Sequence, residues 1–289
     1  METPPTCTQV TTGFQASRKP PATVDSIKQA FEDISFDRMR RHLTASKKPF
    51  VVISGVSVEV FNAYFEDDEA APVALRFVDL VNGSIIITDF PSEAHEYFIG
   101  NFESEFLHAS GNHKEVRKSG SFTASRGQGI MKKAADATFG PMHDTLNRGP
   151  RPTLDEGPPR VLRDVSDWVT LAVEVGYAQA WTGLLVAGNW WSNYVGVKYV
   201  VLARIDEEAT TLEYRLYEIV LVGDLAVPSQ QGTLTVEDDA AAGDHTLRFD
   251  TRVVLAIPPG LDLPPQMNDF CNVNLLDLLQ ETRRSMING

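Results

Sequence analysis

Cysteine is scarce in this chain, and the residues that are missing exclude several classes of function. Only Cys7 and Cys271 occur among 289 residues, too few for a disulfide framework or a cysteine-built zinc site. The sequence has no Walker-type phosphate loop, no Gly-x-Ser-x-Gly elbow and no His-Glu-x-x-His pair, so it gives no support to those enzyme classes. The first twenty residues contain no continuous apolar stretch like that of a signal peptide. We therefore expect an intracellular protein, in the cytoplasm or nucleus.

Positive charge is also in short supply. The net charge is -13 and the sequence pI is about 4.9, which opposes a broad, sequence-independent grip on phosphates. The segment Lys114–Arg163 is the exception, because it holds ten lysines and arginines against five acids. This segment predicts a local basic surface that could contact nucleic acid, whereas composition alone favours an ordinary solvated loop face.

The one long uncharged run does not have the composition of a membrane span. Val175–Val197 carries no charge, but glycines, asparagines and a glutamine interrupt it. These residues lower its insertion tendency well below that of a Leu-rich span of about 20 residues. We expect a buried strand and helix here, and no membrane partner.

The remaining patterns predict a tail followed by one domain. Residues 1–22 are rich in Thr, Pro, Ser and Gln and are expected to be disordered. Residues 23–289 are predicted to form a single domain, with a core at about 75–220 and a C-terminal extension at 221–289. Helices are predicted at Val24–Leu43, from Ser92 onward, at about Ala178–Trp191 and at Leu275–Ile287. Strands are predicted at Phe50–Val56, Ala74–Leu80, Ser84–Thr88, near Thr123 and Ala137, and at Val169–Val175, Val197–Ile205, Thr211–Val220 and Leu247–Ile257.

Two features predict how these strands pair. The Asn82-Gly83 dipeptide is a strong signal for an antiparallel hairpin. The strand, helix and strand from Val169 to Ile205 favour a parallel, right-handed crossover. We expect the hairpin, a strand near Asp136 and the strand Val169–Val175 to share one central mixed β-sheet flanked by helices, which is an α/β fold.

Two carboxylates stand out as candidate ligands. Glu174 interrupts the apolar strand Val169–Val175, and a buried carboxylate costs several kcal/mol unless it is paired, hydrogen-bonded or metal-bound. The alternative is that Glu174 lies at the exposed end of its strand. Asp136 lies in a segment of small residues next to two lysines. Carboxylates from neighbouring strands are the oxygen ligands that a hard cation such as Mg²⁺ requires.

Four short motifs occur in a suggestive order. A Gly-x-Ile-x-Ile strand at Gly83–Ile87 precedes a Pro-Ser-x-x-His-Glu helix start at Pro91–Glu96. A Lys-x-x-Asp-Ala-x-Phe-x-Pro segment follows at Lys133–Pro141, and an apolar strand then ends in Val-Glu-Val-Gly at Val173–Gly176. Together they resemble the bacterial restriction-endonuclease-like proteins of the PD-(D/E)XK nuclease superfamily, and still more their fungal relatives. The resemblance covers about half the chain and implies a restriction-endonuclease-like core.

The resemblance implies roles for individual residues. Asp136 and Glu174 would hold Mg²⁺ or Mn²⁺, and Glu96 would be an auxiliary acid. The lysine expected two positions after Glu174 is replaced by Gly176, which departs from the motif. Lys198 on the next strand is the candidate for a migrated catalytic amine, and Lys133 is the less favoured substitute.

Other side chains near these motifs have structural explanations. We expect His95, on the apolar face of the Ser92 helix, to be a packed and hydrogen-bonded core residue rather than a ligand or base. Trp181, Trp190 and Trp191 are likewise expected in the core rather than on a base-stacking surface.

Three functional hypotheses remain open at this stage. The first is a metal-dependent nuclease that hydrolyses phosphodiester bonds through Asp136, Glu174, Lys198 and Glu96. The second is a degenerate protein of the same fold that acts as a binding or interaction module, which Gly176 and the acidic pI favour. The third is a metal-independent structural protein of an unrelated α/β fold, in which Asp136 and Glu174 would lie far apart. A homodimer is compatible with each hypothesis.

Overall fold

The computed structural model describes residues 21–66, 71–155, 159–177, 179–225, 227–238 and 245–288. The helices are α1 (Val24–Glu32), α2 (Phe36–Ser46), α3 (Val58–Tyr64), α4 (Glu93–Ala109), α5 (Trp181–Ser192), α6 (Thr251–Val254) and α7 (Leu275–Asn288). The strands are β1 (Phe50–Ser54), β2 (Val78–Val81), β3 (Ser84–Ile87), β4 (Val116–Lys118), β5 (Thr123–Ala124), β6 (Lys133–Ala134), β7 (Ala137–Pro141), β8 (Leu171–Gly176), β9 (Tyr199–Ile205), β10 (Thr211–Glu218), β11 (Gln230–Thr235), β12 (Thr246–Asp250) and β13 (Phe270–Asn274). Within these ranges, no helix combines the length and hydrophobicity needed to cross a bilayer.

A mixed six-stranded sheet forms the centre, in the order β11-β10-β9-β8-β7-β4. The pair β8 and β9 is parallel, as predicted, and the other neighbours are antiparallel. Alternate residues of β8 lie on opposite faces of the sheet and belong to different apolar cores. Leu171, Val173 and Val175 pack with α4 and α7, whereas Ala172 packs with α5. Helices therefore cover both faces, which confirms the predicted α/β class with a central mixed sheet.

The hairpin lies in a separate sheet, so the prediction of one shared sheet was wrong. Strands β1, β3 and β2 form a three-stranded antiparallel sheet with its own apolar core, to which α1, α2 and α3 contribute. Within it, β2 and β3 form the predicted antiparallel pair, and Asn82 and Gly83 both have positive φ at the turn. Strand alternation specifies which face is buried but not which strand becomes the neighbour, so the sequence did not reveal this second sheet.

Three other boundaries differ from the predictions. The predicted helix Val24–Leu43 is two helices, because the Ser35 side chain accepts from the Arg38 N–H and begins α2. Asp250 likewise accepts from the Arg252 N–H and begins α6, so the predicted strand Leu247–Ile257 ends early. The predicted strand Ala74–Leu80 begins with a 3₁₀ turn at Leu75–Phe77.

The described residues include little of the predicted N-terminal tail. Of the predicted disordered tail, 1–22, only the last two residues are described, and the Ala22 N–H donates to the Gly55 carbonyl. The predicted start of α5, Ala178, also lies outside the described residues. That 23–289 form a single domain stays a prediction.

Helix α4 positions the candidate site. The Ser92 side chain accepts from the His95 N–H and begins the helix where the sequence predicted. Its apolar stripe, which includes Phe98, Phe102 and Phe106, is buried against the central sheet. One turn earlier the same helix points His95 towards the start of β7, where Asp136 lies.

Candidate functional site

Asp136 and Glu174 come together across the β7–β8 pair. Ala137 pairs with Val173, so Asp136 lies at the start of β7 beside Glu174. The Asp136 N–H donates to the Val173 carbonyl at 3.1 Å, and its Oδ2 accepts from the Val175 N–H at 2.7 Å. The carboxylate thus extends the ladder beyond the end of β7. Both side chains are buried, each residue being 4% exposed. The strand pairing puts the two acids next to each other and not far apart, as the third hypothesis required.

Lys133 supplies a cation to this pair. It lies on β6, is buried, and places its Nζ 3.2 Å from Oδ1 of Asp79 on β2. Burial alone lowers the pKa of the Lys133 ammonium, but Asp79 and then Glu174 and Asp136 raise it, and the net shift is upward. The charged form of the amine is therefore stabilised by its contact with Asp79 and by the charges of Glu174 and Asp136.

His95 is a second internal cation. Its Nε2 lies 3.1 Å from Oδ1 of Asp136, and its Nδ1 lies 3.1 Å from Oε1 of Glu96. Burial by itself lowers the pKa of the ring, but the neighbouring Asp136 carboxylate, the Glu96 hydrogen bond and the charge of Asp89 raise it to about 10. His95 is fully buried, as the sequence predicted, and it holds a proton between two carboxylates.

Glu174 has a different environment from the other acids. Its Oε1 accepts a 2.5 Å hydrogen bond from Nε1 of Trp191, on α5. Burial raises the pKa of the carboxyl, although the Lys133 ammonium opposes the shift and Asp136 adds to it. Trp191 and Trp190 are buried, as predicted, whereas Trp181 is partly exposed and donates to Glu213. The uncharged Trp191 N–H can therefore donate to Glu174 whether the carboxyl is protonated or ionised.

Glu96 lies at the outer end of the cluster. Its Oε1 contacts Nη2 of Arg76 at 2.8 Å as well as the His95 ring, and its side chain is 44% exposed. The His95 hydrogen bond and the Arg76 charge lower the pKa of this carboxyl, although burial opposes them. Glu96 is therefore the solvent-exposed end of the cluster, and His95 lies between it and the buried Asp136.

The structure does not bring Lys198 to the acids. Lys198 is exposed and lies one residue before β9, and its backbone N–H donates to Thr170. Glu174 pairs with Leu202, four residues further on, which corresponds to roughly 13 Å along a strand. The sequence placed Lys198 on the same strand face as Leu202 but at the wrong end. The amine that faces the acids belongs to Lys133.

Sequence analysis missed Asp79, although a signal for it was present. Asp79 interrupts the apolar strand Val78–Val81, just as Glu174 interrupts its own strand, and it is 2% exposed. The argument that singled out Glu174 applies equally to Asp79. The resemblance to the nuclease superfamily assigns no role to Asp79.

The site fits a divalent cation poorly. The Asp136 Oδ1 is buried without an aligned hydrogen bond, which would suit a ligand atom. However, it faces the His95 ring, and the Lys133 ammonium already lies among the acids. Across the described ranges, no group of three or more His, Cys, Asp or Glu side chains is arranged to hold a metal. Mg²⁺ or Mn²⁺ binding by Asp136 and Glu174 finds no support in this geometry.

The basic segment Lys114–Arg163 is divided between surface and interior. Lys133 and Arg163 are buried, and Arg163 donates to the Val195 carbonyl while stacking on Tyr194. The side chain of Lys118 pairs with Glu103 at 2.8 Å. These contacts leave a smaller basic surface than the composition of the segment predicts.

Comparisons with known proteins give a structural similarity to set beside this geometry. No family model matches the chain, and no curated protein matches it. Among solved structures, the chain is similar to a DUF820 protein from Anabaena variabilis ATCC 29413 that is provisionally assigned as a nuclease. The two share 12% sequence identity with a TM-score of 0.36, over 62% of this chain and 84% of that chain.

Proposed function

We propose that this α/β protein is a binding module whose nuclease-like acids form an internal ion-pair network instead of a metal centre. The observation that carries the proposal is the buried Lys133 ammonium, which lies 3.2 Å from Asp79 and whose pKa Glu174 and Asp136 also raise. A cation held by the protein itself thus offsets part of the negative charge that a nuclease would use to bind a divalent metal.

The charges of the network can be assigned to pairs. Lys133 contacts Asp79, His95 contacts Asp136, and Arg76 contacts Glu96. Glu174 is left over, and burial raises its pKa so that the neutral form is favoured. A divalent ion entering this set would add charge to a group of side chains that already balances, at a large desolvation cost.

Access gives a second reason. Asp79, His95, Lys133, Asp136 and Glu174 are each between 0% and 4% exposed. A phosphodiester must come within hydrogen-bond distance of the attacking water and the acids. The side chains that would act on it are covered in this conformation, which supports binding elsewhere on the protein over hydrolysis here.

The test combines metal binding with nuclease activity. Purified full-length protein is titrated with MnCl₂ and MgCl₂ by calorimetry and melted with and without each ion. It is also incubated with single-stranded DNA, plasmid DNA and RNA. We expect no heat of binding, no change in Tm and no cleavage. A Tm increase with Mn²⁺, together with cleavage lost in Asp136→Asn, would overturn the proposal.

A phosphodiesterase is the second candidate, favoured by the convergence of Asp136, Glu174 and an amine. In that case Lys133 would take the role of the lysine missing at Gly176. Lys133→Met would then abolish Mn²⁺-dependent cleavage, whereas Lys132→Met, next in sequence and paired with the exposed Glu66, would leave it unchanged. Circular dichroism of both variants distinguishes lost chemistry from lost folding.

Nucleic acid binding through Lys114–Arg163 and formation of a homodimer stay predictions. Among the segment's cations, Arg151 and Arg160 are exposed and suited to phosphate contacts. Filter binding of labelled RNA and DNA to the wild type and to Arg151→Gln/Arg160→Gln tests the first prediction. Analytical ultracentrifugation tests the second.

A further inference from the structure

A small apolar depression lies between α2 and the start of α4, beside the Arg76–Glu96 end of the acid cluster. It has a volume of about 220 Å³, and its apolar side chains include Phe36, Val73, Phe77 and Phe90. Phe36 is 47% exposed, whereas Val73, Phe77 and Phe90 are each 3–6% exposed. The depression therefore combines a buried apolar floor with an open apolar rim, and such a surface favours an apolar ligand.

Two arginines line the same depression. The Arg40 guanidinium lies 5.3 Å from the centroid of the Phe90 ring, and that of Arg76 lies 4.7 Å from the centroid of the Phe77 ring. Both cations thus stack on aromatic side chains that also line the depression. This stacking holds the flat guanidinium groups beside the apolar floor.

Each arginine has donors without an acceptor. Among the described residues, the exposed Arg40 side chain forms no ion pair and no hydrogen bond, and its guanidinium lies over the Phe90 ring. Arg76 uses Nη2 for Glu96, and its Nε is buried and has no hydrogen-bond partner. The Arg40 guanidinium therefore has its donors open to an incoming anion, and the Arg76 charge lies beside it.

The neighbouring charges indicate where an anion fits. A second depression of about 540 Å³ shares Arg40, Phe90 and Pro91 with the first, but Glu93 and Glu207 also line it. Its acids oppose an anion. Among the residues that the structure describes, no acid lines the first depression, and the nearby Glu96 is already paired with Arg76 and His95. An anion is therefore favoured on the apolar side of Arg40.

We propose that this depression binds a small monocarboxylic acid with an apolar body. The ring or branched chain packs on Val73, Phe77 and Phe90, and the carboxylate accepts from the exposed Arg40 guanidinium. The volume lies below the roughly 300–1,000 Å³ of drug-sized sites, which restricts the ligand to about one aromatic ring with a short acid arm. This site goes beyond the proposed function, because it is independent of whether Asp136 and Glu174 hold a metal.

The test compares three probes of one shape. 3-Phenylpropionate, 3-phenylpropionamide and 3-phenylpropylamine are titrated into the full-length protein by calorimetry, with chemical-shift mapping by NMR. We expect the acid to bind at least tenfold more tightly than the amide, and the amine to be weakest. Equal binding of acid and amide, or no binding of the acid at millimolar concentration, overturns the proposal.

Three variants locate the site. Arg40→Met keeps an apolar stem and should weaken acid binding at least tenfold while leaving amide binding unchanged. Arg38→Met removes the same charge from the same helix, outside the depression, and should change nothing. Ala74→Phe fills the depression from an exposed position and should remove binding of both probes. If Arg38→Met and Arg40→Met weaken acid binding equally, the loss reflects the overall charge of the protein and not a contact in the depression. That result refutes the site.

Discussion

The ammonium of Lys133 lies 3.2 Å from Oδ1 of Asp79, and the pair joins two regions that share no hydrogen-bonded strand. Asp79 belongs to the three-stranded sheet, whereas Lys133 leads through Asp136 into the six-stranded sheet. The same ammonium also acts on the Glu174 carboxyl in β8. One side chain thus connects the hairpin sheet to the middle of the central sheet.

Removing either member of this pair should be costly. Lys133→Met is expected to lower the free energy of unfolding by about 3–5 kcal/mol, because it leaves Asp79 buried without its cation. Asp79→Leu should cost a similar amount. The double variant should lose clearly less than the sum, since neither buried charge remains unpaired. Urea unfolding of all four proteins measures the coupling, and additive losses would contradict it.

A neighbouring lysine provides the control for that cycle. Lys132 pairs with Glu66, whose side chain is 77% exposed. A pair of this kind contributes about 0–1 kcal/mol. Lys132→Met should therefore leave the urea midpoint almost unchanged.

Stability should fall as the pH rises, because of His95. The pKa of its ring is raised from 6.5 in the unfolded chain to about 10 in the folded protein. The folded state holds the proton more tightly, so this stabilisation is complete below about pH 6.5 and is lost as the pH rises through 10. The raised pKa of Glu174 adds a loss of the same sign above its ordinary value of 4.5. Urea midpoints at pH 6, 8 and 9.5 should fall in the wild type.

Substitution of His95 measures how much this residue contributes to the pH dependence of stability. His95→Gln should begin at a lower midpoint and show a flatter fall between pH 6.5 and 10. His113→Gln, in the short 3₁₀ turn before β4 and exposed, should behave as the wild type does. A wild-type midpoint that is constant or rises over this range would be inconsistent with a proton held by His95.

The hairpin glycine should resist replacement. Gly83 has φ +71, and a Cβ there would lie 3.3 Å from the Val56 carbonyl oxygen. Gly83→Ala should cost about 1–2 kcal/mol, since left-handed backbone is unfavourable for alanine. Gly100, within α4, has open space around its Cβ position. Gly100→Ala should instead stabilise by about 0.5–1 kcal/mol, as measured by thermal melting.

Restoring the motif lysine should fail. A Cβ on Gly176 would lie 3.2 Å from both the Gln179 Cβ and the Leu184 Cδ1. Gly176→Lys should therefore lower the free energy of unfolding by about 1–3 kcal/mol through overpacking, and should produce no cleavage with Mn²⁺. Gly176→Ala separates the packing cost from the added charge. Metal-dependent cleavage in Gly176→Lys would show that only this lysine was missing.

Much of the core was predictable where a local rule decides the structure. The Ser92 cap, the Asn82-Gly83 turn and the parallel β8–β9 pair follow from short-range chemistry and from connection length. The pairing of Asp136 with Glu174 was predicted by resemblance and matches their adjacency across β7 and β8. The cap and the turn need information from only a few neighbouring residues.

The misplaced features depend on long-range arrangement. Lys198 was assigned to the correct strand face, but only the β8–β9 register shows that it lies at the opposite end from Glu174. Lys133 reaches the acids because β6 folds back on β5, and no periodicity marks that short pair. The role of Asp79 depends on where the second sheet lies. Sequence patterns give the face of a residue more readily than its partner.

The mutual neutralisation of Lys133, Asp79, His95, Asp136 and Glu174 also restricts how this sequence can diverge. A change of charge at one position leaves a buried charge uncompensated, so a descendant that loses Lys133 must also lose an acid. Such changes should occur in pairs, or through Glu174 first, because its neutral form and the Trp191 donor tolerate glutamine there. Successive substitutions would then replace the charged side chains of the cluster by apolar ones. We expect Glu174 to change first and the Lys133–Asp79 pair last.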